Sequence, residues 1–190
     1  MHAFLLSTVI VALAEIGDKT QLLSLVLAAR FRQPVPIIAG IFVATVLNHA
    51  GAAAIGAWLT ALVGPGALRW ILGVSFLAMA AWMLIPDRID DDALPVRHSG
   101  VFATTTAAFF LAEMGDKTQF ATIALAARFD AFIPVVIGTT LGMMLANVPA
   151  VLLGDRLAGR LPVRTVHVIA ALAFAAIGLL ALLDGAKVPG

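Results

Sequence analysis

The chain has 190 residues, 62% of them hydrophobic and 12% charged, with a mean hydropathy of +1.04. Soluble domains are about half apolar and a quarter charged, so lipid is the solvent for most of this surface. A formal net charge of +1 leaves no basic patch to neutralise phosphates and excludes nucleic acid as a partner; zero cysteines exclude disulfides, thiolate metal sites and redox motifs.

A membrane-spanning helix needs about 20 mostly apolar residues. Breaks in the sequence predict six, over 3–29, 36–63, 68–85, 101–127, 133–153 and 163–183. The fold class expected is therefore all-α integral membrane, one membrane domain over 1–190. The first apolar run ends in Ala12-Leu13-Ala14 and imitates a signal peptide with its small-residue cleavage site. No Lys or Arg precedes it, and the same pattern recurs before Glu113, so it reads as the first half of a transmembrane helix. The first helix ends at Arg30-Phe31-Arg32-Gln33-Pro34 and the second at Gly64-Pro65-Gly66. The third leads into a loop carrying Asp90-Asp91-Asp92, which reads as a solvated linker. The third and sixth helices carry almost no polar residue and read as scaffold.

The fourth helix restarts the sequence. Ala14-Glu15-Ile16-Gly17-Asp18-Lys19-Thr20-Gln21 returns as Ala112-Glu113-Met114-Gly115-Asp116-Lys117-Thr118-Gln119, an offset of 98 residues (113 − 15). Thr8 and Thr106, Pro36 and Pro134, Gly40 and Gly138, Gly56 and Gly154, and Phe76 and Phe174 keep the same offset. The chain is an internal duplication: repeat 1 over 1–85, a linker over 86–100, and repeat 2 over 101–190. Three spans per repeat force the copies into opposite orientations, the inverted-repeat plan of secondary transporters, whose sites lie near the midplane. The loops after the first, third and fifth helices hold Arg30, Arg32, Arg88, Arg97, Arg156, Arg160 and Arg164, against Arg69, Arg128 and Lys187 on the other side. Seven against three places those loops in the cytoplasm and both termini outside.

Each motif puts charge deep in lipid. Asp18 is twelve residues before Arg30 and Asp116 twelve before Arg128, roughly 18 Å along a helix and near the middle of a bilayer core of about 30 Å. On continuous helices Glu15, Asp18 and Lys19 would share one face with Thr8, and Glu113, Asp116 and Lys117 one face with Thr106. Six charges at helix centres would cost on the order of 15–20 kcal/mol unpaired. Glu15–Lys19 and Glu113–Lys117 salt bridges that merely fix packing are one account. They leave a remainder, since four carboxylates against two lysines give −2. One divalent cation or two protons would balance it, and protonation would relieve repulsion between neighbouring carboxylates. Gly17 and Gly115, between the acids, allow either local unwinding or close helix packing. Gly-Asp-Lys-Thr imitates the end of a phosphate-binding loop, but the upstream glycine and the preceding strand are missing, which excludes nucleotide binding.

The candidate metal ligands are thus Glu15, Asp18, Glu113 and Asp116. Lys19, Lys117, Thr20, Thr118, Gln21 and Gln119 stand as supporting or proton-coupling residues. Asn48, His49 and Asn147 join them, each also readable as an interhelical hydrogen bond. Oxygen ligands suit Mg²⁺, Ca²⁺ and Mn²⁺, and the lack of Cys or a His cluster disfavours Zn²⁺ and Cu⁺. Met114 offers either a soft sulfur toward Mn²⁺ or a packing side chain.

Two Glu-x-Gly-Asp-Lys-Thr motifs, each on the first helix of a three-helix repeat, resemble the transmembrane protein 165 family of cation–proton exchangers. The resemblance covers essentially the whole chain. It implies Mn²⁺ or Ca²⁺ transport driven by H⁺ exchange, with the four motif acids at the site and no resident cofactor. The chain lacks the targeting sequence and long central loop of organellar members, so a bacterial inner-membrane manganese exporter is the expectation. The alternatives are a passive divalent cation channel, a proton-coupled exporter of a small organic solute, or a membrane hydrolase. The last lacks a nucleophile–His constellation.

Overall fold

The computed structural model describes residues 1–85, 100–153 and 163–183. The acidic run Asp90 to Asp92 and the loop arginines Arg88, Arg97, Arg156 and Arg160 lie outside them. The described residues form eight helices and no strand: α1 (His2–Glu15), α2 (Lys19–Phe31), α3 (Pro34–Leu62), α4 (Pro65–Met83), α5 (Val101–Glu113), α6 (Lys117–Phe129), α7 (Phe132–Leu153) and α8 (Val163–Leu183). Of these, α3, α4, α7 and α8 are long and apolar enough to cross a membrane, and they match the second, third, fifth and sixth predicted spans.

The first and fourth predicted spans are not continuous helices. Each breaks in the middle of its motif. Gly17 adopts φ +83° and Gly115 φ +79°, left-handed conformations that glycine enters without steric cost. The flanking residues are extended: Ile16 has ψ 113° and Asp18 ψ 166°, Met114 ψ 118° and Asp116 ψ 167°. Backbone in that sequence of conformations cannot carry the i→i−4 ladder, so one helix stops at the glutamate and the next starts after the aspartate. The placement of Glu15, Asp18 and Lys19 on one helical face, and of Glu113, Asp116 and Lys117 on another, is therefore corrected: glutamate and lysine belong to different helices. Of the two readings of the glycines, local unwinding is the one observed.

The helices of one repeat pack on those of the other. α3 lies against α5 and α6, α7 against α1 and α2, and α4 against α8. Small residues set the approach. A Cβ on Gly40 would come within 2.9 Å of the Phe102 carbonyl oxygen, and one on Gly138 within 2.6 Å of the Phe4 carbonyl oxygen. Both glycines and both carbonyls are 98 residues apart; the duplication visible in sequence recurs as a duplicated contact. Phe76 and Phe174, also 98 apart, stack on each other with centroids 6.2 Å apart and both side chains fully buried. Large apolar side chains such as Trp58, Trp70, Leu111, Ile133 and Leu172 stay more than half exposed, as expected of a surface solvated by lipid.

Candidate metal site at two broken helices

The two breaks meet. Glu15, Glu113 and Asp116 each offer a carboxylate oxygen, and these oxygens all lie within 4.8 Å of one another, in a buried group that could hold a metal ion. None of the three side chains is more than 3% exposed. Glu15 Oε1, Glu113 Oε2 and Asp116 Oδ2 are buried without a hydrogen-bond partner among the described residues. Oxygen atoms left that way inside a protein are costly, and a cation between them would satisfy all three at once.

The lysines bridge the repeats. Lys19 Nζ lies 3.1 Å from Asp116 Oδ1, and Lys117 Nζ lies 3.6 Å from Asp18 Oδ1. The pairs of the packing-only account, Glu15–Lys19 and Glu113–Lys117, are not among the ion pairs seen in the described residues. The helix break explains why: it turns each lysine away from its own glutamate and toward the opposite repeat. Asp18 and Asp116 sit at the N-caps of α2 and α6, where the positive end of the helix dipole favours a carboxylate. Glu15 and Glu113 end α1 and α5, so the carbonyl ends of two helices, carrying partial negative charge, flank the same spot. With both aspartates paired to lysine, Glu15 and Glu113 are the motif acids left without an ion-pair partner among the described residues.

The supporting residues hold the breaks open. Gln21 Oε1 accepts the Gly17 N–H at 2.8 Å, and Gln119 Oε1 accepts the Gly115 N–H at 2.7 Å, which satisfies the amides freed by unwinding. Thr20 donates its hydroxyl to Glu15 Oε2 at 2.6 Å, and Thr118 donates to Glu113 Oε1. Gln21 Nε2 donates to the Ala146 carbonyl at 3.0 Å, Gln119 Nε2 to Asn48 Oδ1 at 3.4 Å, and Asn48 Nδ2 to the Phe110 carbonyl at 3.1 Å. Asn147 accepts from Ser24 Oγ at 2.7 Å and donates to the Met143 carbonyl at 3.1 Å. His49, fully buried, has neither ring nitrogen hydrogen-bonded among the described residues.

Three expectations do not carry into this arrangement. Thr8 and Thr106 donate back to Phe4 and Phe102 of their own helices, both at 2.9 Å, and do not reach the carboxylates. Met114 is 53% exposed, which suits neither a buried ligand nor a core packing residue. The sixth span is more than scaffold, because His167 of α8 donates from Nε2 to the Ile16 carbonyl at 2.8 Å. Ser24 and Thr122 are a further polar pair beside the motifs, with the 98-residue offset as their signal. His167 had none, since its counterpart is Arg69.

Comparison with known proteins agrees with this chemistry. The model of the family described as divalent cation/proton antiporter GDT1 matches the chain twice, over residues 3–91 and 101–189. A Vibrio cholerae protein named "Putative manganese exporter" is 51% identical over 172 residues, covering 90% of this chain and 86% of its own. A GDT1-like protein of Synechocystis sp. is 30% identical over 197 residues, covering 92% of this chain and 93% of its own. No solved structure matches the chain. The doubled motif and the double family match agree: this chain is a multi-pass membrane cation transporter, not an enzyme, and it belongs to the GDT1 family of divalent cation/proton antiporters.

Proposed function

We propose that the chain exports Mn²⁺, with Ca²⁺ as the second candidate, from the cytoplasm in exchange for H⁺, through a site made by Glu15, Glu113 and Asp116 and completed by Asp18. The observation that carries this reading is the meeting of three buried carboxylates, from two separate helix breaks, within 4.8 Å. Their all-oxygen character suits a hard divalent cation. The residual −2 on the two glutamates equals the charge of one such ion or of two protons. Cation and protons would then compete for Glu15 and Glu113, while Lys19 and Lys117 keep the aspartates compensated when the ion leaves. Thr20 and Thr118, by donating to one glutamate oxygen each, leave the other oxygen of each pair for the cargo.

In this reading α1–α2 and α5–α6 each cross the membrane as one broken span. That gives six spans in two inverted repeats, repeat 1 over 1–85 and repeat 2 over 101–190, with both termini outside the inner membrane and no resident cofactor. The two repeats rock about the shared site to open it to one side at a time. Proteoliposomes loaded with a manganese-sensitive and a pH-sensitive dye test the exchange. Mn²⁺ entry should move protons outward and should drive Mn²⁺ against its gradient when a pH gradient is imposed. Mn²⁺ flux indifferent to the pH gradient would identify a passive channel instead.

A further inference from the structure

The two breaks share a sequence but not a cover. At the first, the N-terminal turn of α8 lies directly on the unwound segment. A Cβ on Gly17 would come within 2.2 Å of Val163 Cγ1, and His167, one turn further along, donates to the Ile16 carbonyl at 2.8 Å. At the second, a Cβ on Gly115 would meet none of the described residues within 4 Å. The same offset that relates the motifs relates the covering residues: Val163 corresponds to Pro65, and His167 to Arg69, on the N-terminal turn of α4. Those two residues do not cover the second break. Arg69 Nε is instead buried with no hydrogen-bond partner among the described residues, although a guanidinium has five N–H donors to place.

We propose that the N-terminal turns of α8 and α4 are the two gates of the transporter, one closed over Ile16–Gly17 and the other withdrawn from Met114–Gly115, and that they exchange roles during transport. The proposal rests on the alternating-access reading above. A duplicated chain in one asymmetric arrangement has a second arrangement available, in which the repeats swap conformations. In that state Arg69 would donate to the Met114 carbonyl as His167 now does to Ile16, and the His167 contact would be broken. The residues differ because each has only to donate a hydrogen bond to a backbone carbonyl.

A chain without cysteines suits a thiol test. In Ile16→Cys and Met114→Cys variants, a water-soluble thiol reagent should label position 114 fast and position 16 slowly. Adding His167→Ala to Ile16→Cys should raise its labelling roughly two- to tenfold, the weight of one net hydrogen bond. A short bifunctional thiol reagent should join Ile16→Cys to Val163→Cys, and, in turnover with Mn²⁺ and a pH gradient, Met114→Cys to Pro65→Cys. Either link should stop Mn²⁺ flux relative to the same variant before linking. Failure to label position 114 means that the open break faces lipid, and it overturns the proposal. So does a failure of the 65–114 pair to link during turnover, or undiminished flux after linking. Absence of flux from the unmodified chain would instead remove the transport reading, while the labelling rates would still report the gates.

Discussion

Glu15 to Gln21 and Glu113 to Gln119 differ at one position in seven, yet they occupy two different environments. The backbone conformations agree closely, as do the glutamine and threonine bonds that brace them. The surroundings do not. Lys117 is 3% exposed beside Asp18, whereas Lys19 is 29% exposed beside Asp116. Gly17 lies under Val163 and Gly115 under none of the described residues. Asn147 is bonded to Ser24, while its counterpart His49 has no partner among the described residues. Local sequence determines local geometry in both copies. How the other helices lie over that geometry is decided separately, and in this structure Val163 lies over Gly17 while no described residue lies over Gly115.

Substitutions made in matched pairs can break or sharpen this contrast. The largest effect is expected from the acids. Asp116→Asn removes a member of the carboxylate group and the partner of Lys19, whose ammonium water partly screens, so the main loss is to the site and not to stability. Mn²⁺ flux in proteoliposomes should fall by at least a hundredfold; flux within a few-fold of the unmodified chain would show that Asp116 is not a ligand. Asp18→Asn should lower flux less, because Asp18 lies outside the group of three.

Lysine replacements come next. Lys117→Met takes the paired cation from Asp18 in a fully buried site and should cost about 3–5 kcal/mol, read as a drop of several degrees in detergent melting temperature. Lys19→Met removes an ammonium that is 29% exposed and already screened in part by water, so it should cost less than Lys117→Met, although Asp116 stays buried. Equal losses would contradict the burial difference. The glycines are third: Ala in a left-handed conformation costs roughly 1–2 kcal/mol. Gly115→Ala should show that strain alone, whereas Gly17→Ala adds a clash with Val163, so it should melt lower. The smallest contrast is Ser24→Ala against Thr122→Ala. The first loses a buried bond between helices, worth about 1 kcal/mol. The second loses only a bond back to the Thr118 carbonyl of its own helix, and should be near neutral.

Much of this molecule was legible without coordinates. Apolar run lengths located α3, α4, α7 and α8 to within a few residues, because about 20 apolar residues have few alternatives to a spanning helix. The repeated Glu-x-Gly-Asp-Lys-Thr named the acids, since charge in an apolar run is too costly to be incidental. The partners of those charges were not legible. Helical periodicity paired Glu15 with Lys19, but the periodicity stops at Gly17, and a glycine flanked by acids is compatible with both a helix and a break. His167 could not be found at all, because a single histidine in an apolar run carries no record of which carbonyl it will meet.

The sequence by itself determined that the chain lives in lipid, that it is built twice, and that four carboxylates against two lysines leave a charge of −2 for a cation or protons. Those are matters of composition, offset and counting, independent of where the helices finally lie. Only the tertiary structure decided that the lysines pair across the repeats, that Glu15 and Glu113 are the motif acids left without a lysine, and that α8 lies over the first break while α4 does not lie over the second. Each of these depends on two segments far apart in the chain reaching the same few ångströms.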